Sequence, residues 1–272
     1  MLSVHTNYAS LVGQNSLNRA NGDMTTAMER LSTGFRINGA SDDAAGLQIA
    51  SRLEADSVAL NQGMRNVNDG VAMLETADGA LSEVESIGMR MTELATQYGN
   101  GTLSADDKTA VETEFNALKA EVGDIMTKTE FAGEKLLEGG KVGSGAITID
   151  AGVGRDVSVN AKVNMDKLIA SYGALDITTV APGGPEKLVD GMLADLGNTR
   201  ADLGAGVNRL QHTASNNANI DEGTQQALGT IKDADFAVES SNMTKNQMLV
   251  QAGTNVLSRA NQNTSLVMSL LG

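Results

Sequence analysis

The chain is predicted to be mostly α: a long antiparallel helical bundle, or coiled-coil rod, with a small β-hairpin region in the middle of the chain. Three observations carry this expectation. Apolar residues recur at three- and four-residue steps along most of the 272 residues, which is the period of one helix face. Aromatics make up only 3% of the chain, Trp is absent and Pro occurs twice. Ala, Met, Leu and Val must therefore do the packing, which suits helices lying close together over a long distance. Finally, the period changes to two only between Ile147 and Val163, beside a cluster of glycines.

The elements follow in order. Leu17, Ala20, Met24, Ala27 or Met28, and Leu31 form the stripe of a first helix. Ser41 followed by Asp42 and Asp43 is a helix start, a capping hydroxyl with two acids against the positive end of the dipole. From there Leu60, Met64, Val67, Val71, Leu74, Ala77 or Asp78, Leu81, Val84, Ile87, Met91 and Leu94 mark a seam close to five heptads long. A helix from Ser41 to Tyr98 would run roughly 85 Å at 1.5 Å per residue. Gly99-Asn100-Gly101-Thr102 ends it. Ser104 or Ala105 restarts a helix with Val111, Phe115, Leu118, Val122 and Ile125 as its stripe, ending near Thr129.

Gly139-Gly140 and Gly143 to Gly145 punctuate a loop region. Ile147 and Ile149 alternate with polar residues, 151–155 supply a turn, and Val157, Val159, Ala161 and Val163 alternate again, as a β-hairpin requires. Pro182 and Pro185 fit the start of a helix. Leu188, Met192, Leu196, Leu203, Val207, Leu210 and Ala214 carry it to about Ile220. A break is expected near Glu222-Gly223 or at Asp233-Ala234-Asp235, before a terminal helix whose stripe is Leu249, Ala252, Val256, Ala260, Asn263, Val267 and Leu270.

Charge separates the ends from the middle. Residues 240–272 contain no acid and two bases, Lys245 and Arg259, and residues 1–43 contain three bases and four acids. Removing both ends from the chain's twenty bases and thirty-four acids leaves fifteen bases and thirty acids for 44–239. The far face of the terminal helix carries Asn246, Gln251, Asn255, Asn261 and Gln262 where a solvated helix carries Glu and Lys. Neutral amides suggest a helix covered on both faces, because an unpaired buried charge costs far more than an amide that finds a partner. Two domains are therefore expected. One joins 1–40 with 236–272 as a terminal coiled coil. The other is a rod of 41–235, with its hairpin region at about 139–180.

Composition excludes several functions. A pI near 4.5 argues against nucleic acid or an anionic membrane as partner. No run of eighteen apolar residues exists, so no membrane span is expected, and the opening MLSVHTNYASLVGQ shows no cleavable secretory signal. Cys is absent, and the two histidines, His5 and His212, stand far apart without carboxylates at metal-ligand spacing. The Gly139 to Gly154 stretch lacks the Gly-Lys-Ser/Thr ending of a nucleotide loop. Asp42-Asp43 sit at a helix start, where capping explains them better than general acid/base work. No nucleophile stands beside a base, so no enzyme, metal or cofactor is expected.

Two segments carry a family likeness. MERLSTGFRINGASDDAAGLQIA (28–50) and ADFAVESSNMTKNQMLVQAG (234–253), the latter continuing through VLSRANQ (256–262) to the closing LLG, resemble bacterial flagellin. A hook–filament junction adaptor of the same superfamily is the alternative, but Ala44 and Ala45 follow the acidic pair here where that adaptor tends to carry Pro. A secreted coiled-coil scaffold would share only the seam. The resemblance implies an extracellular subunit that self-assembles head-to-tail into a helical tube for swimming motility, exported by a type III route. It implies terminal helices lining the filament channel, with Leu17, Met24, Leu31, Leu249, Val256, Val267 and Leu270 at the polymerisation interface. It further implies an export chaperone on the C-terminal segment, hook-associated and cap proteins as partners, and possible company of other flagellins in the filament. Toll-like receptor 5 is an implied partner through Arg90, Leu94 and Glu114. The middle of the chain is short, so the resemblance is to a minimal flagellin without large outer domains.

Overall fold

The computed structural model describes residues 7–178 and 184–271, and their side chains except those of 185 and 263–271. His5 and Pro182 lie outside the described residues. Long helices dominate: α1 (Tyr8–Thr33), α2 (Ala44–Tyr98), α3 (Ala105–Lys128), α4 (Lys141–Ser144), α5 (Lys162–Gly173), α6 (Gly184–Lys232) and α7 (Phe236–Leu271). Two small antiparallel strand pairs lie mid-chain, β1 (Glu130–Phe131) with β2 (Glu134–Lys135), and β3 (Ile147–Asp150) with β4 (Asp156–Val159). The expected mostly helical fold with a mid-chain hairpin is what forms. The chain packs into two compact units, Asp56–Glu222 and the residues on either side of it, up to Ala55 and from Gly223.

Within the Asp56–Glu222 unit, α2 buries Leu60, Gly63, Val67, Gly70, Leu74, Ala77, Leu81, Val84, Gly88 and Met91 in strict alternation of three and four residues. The expected seam is therefore corrected at three places: Met64, Val71 and Ile87 are half-buried, and the glycine beside each takes the buried position. The reason is a close approach. A Cβ added at Gly63 would collide with the Ala151 carbonyl, and one at Gly70 with Ile149 Cδ1. The β3–β4 hairpin lies directly on α2, and only glycine leaves room for it. The same correction applies on α6, where Val189 and Gly206 are buried and the expected Leu188 and Val207 are half-buried. Side chains then tie the hairpin down: Asn217 Nδ2 donates to Ala151 O (2.7 Å), Asn66 Nδ2 to Asp150 O (2.9 Å) and an Arg209 guanidinium N–H to Ser158 O (2.9 Å).

α3 starts at Ser104, whose hydroxyl accepts from Asp107 N while Asp107 Oδ2 accepts from Ser104 N, a reciprocal cap. Phe115, Val122 and Met126 bury its inner face. Three departures from the sequence reading follow α3. α4 occupies the glycine region read as loop, and the β1–β2 pair forms at 130–135, where no element is expected. The second hairpin strand stops at Val159, because Ala161 is the N-cap of α5 and Val163 lies within that helix, 63% exposed. Alternation over 157–163 is compatible with either structure, and burial of Met165 and Leu168 selects the helix. Finally, α6 continues past Glu222-Gly223 to Lys232, so the break is the one at 233–235.

α2 and α6 are joined by a clamp. Arg200 pairs with Asp78 (Nε to Oδ1, 2.7 Å) and with Glu85, which explains an acid next to the Ala77 seam position. These hydrogen bonds, that to Asp78 above all, hold the guanidinium more firmly protonated than usual.

Candidate assembly surface

The other unit contains α1 and α7, which run antiparallel. Arg30 meets Glu239 (3.0 Å), Leu17 lies against Gly253, Gly13 lies against Leu257, and Asn7 Nδ2 donates to Ala260 O (3.0 Å). Asn7 also caps α1, its Oδ1 accepting from Ser10 N (3.0 Å). Along α1 the facing residues Ser10, Gly13, Leu17, Ala20, Met24, Ala27 and Leu31 are less exposed, with Asn21 and Arg30 beside them, and along α7 Glu239, Met243, Asn246, Val250, Gly253, Leu257 and Ala260. Both sets step by three and four, the seam of a two-stranded coiled coil. Large side chains meet small ones across the seam, Leu17 at Gly253 and Leu257 at Gly13, so the two helices lie close.

The pair is strapped where the helices break. Ala234 N donates to Gly34 O (2.9 Å), and Arg36 N donates to Lys232 O (2.7 Å), around an isolated bridge between Phe35 and Asp233. Lys232 Nζ sits 4.5 Å from the Phe35 ring centroid. Gly34 holds φ of 78°, the left-handed conformation that ends α1. Asp42 and Asp43 both turn to the backbone. Asp43 Oδ1 accepts from Gly46 N (2.9 Å) and caps α2, so the cap is Asp43 and not Ser41. Asp42 Oδ2 accepts from Asn38 N and Gly39 N (3.0 Å each), and these bonds hold its carboxyl below the ordinary range.

Larger apolar side chains of this unit point outward. Leu11, Val12, Met28, Val238, Met248, Leu249 and Val256 are each about half exposed or more. Val12, Leu17, Leu249, Ala252 and Val256 line a groove of about 370 Å³ between α1 and α7. Among residues singled out in the sequence, Leu17, Met24 and Leu31 thus lie half-buried on the seam, while Leu249 and Val256 flank it in the open. Val267 and Leu270 lie in α7 but outside the described side chains. The outward Leu11, Val12 and Met248 and the Arg30–Glu239 pair have no counterpart among the sequence expectations. The count that marks 240–272 as acid-free stops one residue short of Glu239.

In the Asp56–Glu222 unit, Arg90 on α2 pairs with Glu114 on α3 (2.8 Å) and with Glu93 (2.7 Å), all three exposed. The Glu114 hydrogen bonds, then those of Glu93, raise the Arg90 pKa further. Leu94 is 1% exposed, part of the core below this pair. Among the described residues no three His, Cys, Asp or Glu converge as a metal site would need, and no helix is long and apolar enough to cross a membrane.

Long heptad helices, a tightly packed body and a terminal helix pair with apolar side chains left outside define a structural protein built to associate. Residues 4–142 match the bacterial flagellin N-terminal helical region and residues 187–271 match its C-terminal helical region. The chain is 34% identical to flagellin A of Vibrio anguillarum over 99% of each chain. It is also 34% identical to flagellin of Listeria monocytogenes, again over 99% of each. The Vibrio alignment runs over 378 positions and the Listeria alignment over 288, so at 272 residues this is a short form. A crystal structure of Bacillus cereus flagellin aligns with 56% of this chain and 88% of its own at 27% identity, TM-score 0.43. The chain belongs to the bacterial flagellin family. It is a structural subunit of the extracellular flagellar filament, and the family implies its self-assembly.

Proposed function

We propose that the helix pair of 1–40 with 236–272 is the assembly domain of the subunit, and that 41–235 forms the rod that it carries. The observation behind this is the outward row of Val12, Met28, Met248, Leu249 and Val256 on a helix pair with few charges. An apolar face of this kind is covered when another copy packs on it. Leu249 and Val256, with Val267 and Leu270, make the contact. Leu17, Met24 and Leu31 support it from the seam. Each copy offers unlike surfaces to its neighbours, so association is head-to-tail and open, which yields a helical tube. The subunit works as a structural element and has no enzymatic role. The C-terminal segment binds an export chaperone before assembly, and hook-associated and cap proteins bound the finished filament.

The decisive variant is Leu249→Asp with Val256→Asp. Both side chains are exposed in the subunit, so helicity should stay at the parent level while sedimentable filaments disappear. Filaments of normal yield from that variant would remove this face from the interface.

Recognition by Toll-like receptor 5 rests on the Arg90–Glu114 pair, which offers a fixed, exposed guanidinium bridging two helices. Leu94, buried beneath, acts by holding α2 in place. Arg90→Ala in the monomer should weaken receptor binding measurably in a titration; an unchanged affinity would exclude Arg90 as a contact.

A further inference from the structure

We infer that Asn100-Gly101, in the loop between α2 and α3, is a self-modifying site at which the Asn100 side-chain amide is lost as ammonia. Such chemistry needs an Asn followed by a residue without a side chain, a backbone nitrogen free to attack, and a polarised side-chain carbonyl. Asn-Gly occurs at 21–22, 38–39 and 100–101, and only the last lies in the Asp56–Glu222 unit. The first lies within α1, where helical geometry engages the glycine nitrogen. At 38–39 both reacting groups are held: Gly39 N donates to Asp42 Oδ2 (3.0 Å) and Asn38 Nδ2 to Phe35 O (3.2 Å).

At 100–101 the reverse holds. Asn100 and Gly101 are exposed, and among the described residues Gly101 N has no acceptor. Asn100 itself is fixed, its N–H donating to Gln97 O (3.0 Å) and its carbonyl accepting from Leu103 N (3.4 Å). Its Oδ1 accepts from Thr102 N (3.1 Å), which turns the side-chain amide back over the following backbone. That bond draws electron density from Cγ and stands where the oxygen of a tetrahedral adduct gathers charge. Hydroxide removes the Gly101 N–H proton and the nitrogen attacks Asn100 Cγ. The new C–N bond closes a succinimide ring while the C–NH2 bond breaks, its nitrogen leaving as ammonia with a proton from water. Water then adds to either ring carbonyl and opens the ring, giving aspartate or isoaspartate. Both products add a negative charge to a body, 44–239, that already holds thirty acids against fifteen bases. Isoaspartate also lengthens the short link between α2 and α3 by a methylene, just ahead of the Ser104 cap. Because ammonia escapes, the change is one-way, and its extent records the age of a subunit.

Residues 91–108 follow Arg90, end at Lys108 and contain one Asn, so trypsin isolates the site in one peptide. Purified full-length monomer is aged in mildly alkaline buffer and that peptide is followed by mass spectrometry. The amide-to-acid mass gain should appear in two chromatographically separate products and quicken as hydroxide is raised. Its rate should be no lower than in the same chain unfolded in urea. Gly101→Ala should slow it about tenfold or more. A Cβ there meets open space and Gly101 holds no left-handed φ, so the fold is kept, which thermal melting checks. No mass gain in the parent, or an equal rate in Gly101→Ala, would overturn the inference. So would a folded rate well below that in urea, since the loop would then protect the amide rather than present it. These readings come from the Asp56–Glu222 unit alone and stand apart from the assembly proposal.

Discussion

The two compact units use one helical period for opposite ends. In the Asp56–Glu222 unit the seam is filled by Leu60, Val67, Leu74, Leu81, Val84 and Met91, each at most 1% exposed. In the α1–α7 pair the seam mixes small residues, Ser10, Gly13, Ala20, Ala27, Gly253 and Ala260, with half-buried Leu17, Met24, Leu31, Met243, Val250 and Leu257, while Val12, Leu249 and Val256 stay outside. The first unit carries its core inside itself and leaves an acidic surface to water. The second only half-buries its seam and leaves Val12, Leu249 and Val256 outside, open to another molecule. Periodicity alone does not distinguish these cases; the degree of burial at each seam position does.

The comparison breaks most visibly if the body proves tolerant of core loss. Phe115→Ala should destabilise it by about 3–5 kcal/mol, because Phe115 is 1% exposed among Val111, Val122 and the α2 seam. Thermal melting followed by circular dichroism measures it. The same truncation at an outward residue of the helix pair, Leu249→Ala, should leave monomer melting within about 0.5 kcal/mol of the parent. Equal effects at the two sites would mean that the units are not organised differently.

A second test concerns the glycines that separate the seams. Gly70→Val forces Ile149 away from α2 and should cost about 1–3 kcal/mol by overpacking. Amide exchange should accelerate first in β3 and β4. Gly79 on the same helix has open space around it, so Gly79→Ala should stabilise by about 0.5–1 kcal/mol.

These glycines also show where the sequence is readable. The long helices, the Ser104 cap, the β3–β4 hairpin and the low charge of both ends are legible because each rests on a local signal. The position of the α2 seam is off at Met64, Val71 and Ile87 because the buried neighbours, Gly63, Gly70 and Gly88, have no apolar signature. They are buried by what packs on them from far along the chain, the β3–β4 hairpin on Gly63 and Gly70 and the α6 residues Met192 and Leu193 on Gly88. α5 is lost for a related reason: Ala161 and Val163 alternate, and only the packing of Met165 and Leu168 decides for a helix. At the termini the expected stripe through Leu249, Ala252 and Val256 lies one position off the α7 seam, which runs through Val250, Gly253 and Leu257, and Asn246, expected on the far face, is buried on that seam. The stripe's direction is not readable, since facing α1 and facing another copy give the same spacing.

The Arg200 clamp sharpens the comparison from the polar side. Arg200→Leu removes the links to Asp78 and Glu85, all of them partly solvated. The expected cost is about 0.5–1 kcal/mol, diminishing as salt is raised. A loss as large as that at Phe115 would show that the body depends on ion pairs as much as on its apolar seam.

The smallest effect is acid loosening of two local turns, one in each unit. Asp107 accepts from the Ser104 hydroxyl and Ser104 N at the start of α3, and Asp42 accepts from Asn38 N and Gly39 N ahead of α2. Both carboxyls are held below the usual 3.8, so the charged form is favoured in the folded chain. Their contribution is therefore complete above that ordinary value and disappears as pH falls through the lowered folded value. Amide resonances of Ser104, Asn38 and Gly39 should shift with midpoints under 3.8, and Asp107→Asn or Asp42→Asn should abolish the corresponding titration. A midpoint at or above the ordinary carboxylate value would mean that these turns do not depend on charge, and that the two units start their long helices without help from the acids that precede or open them.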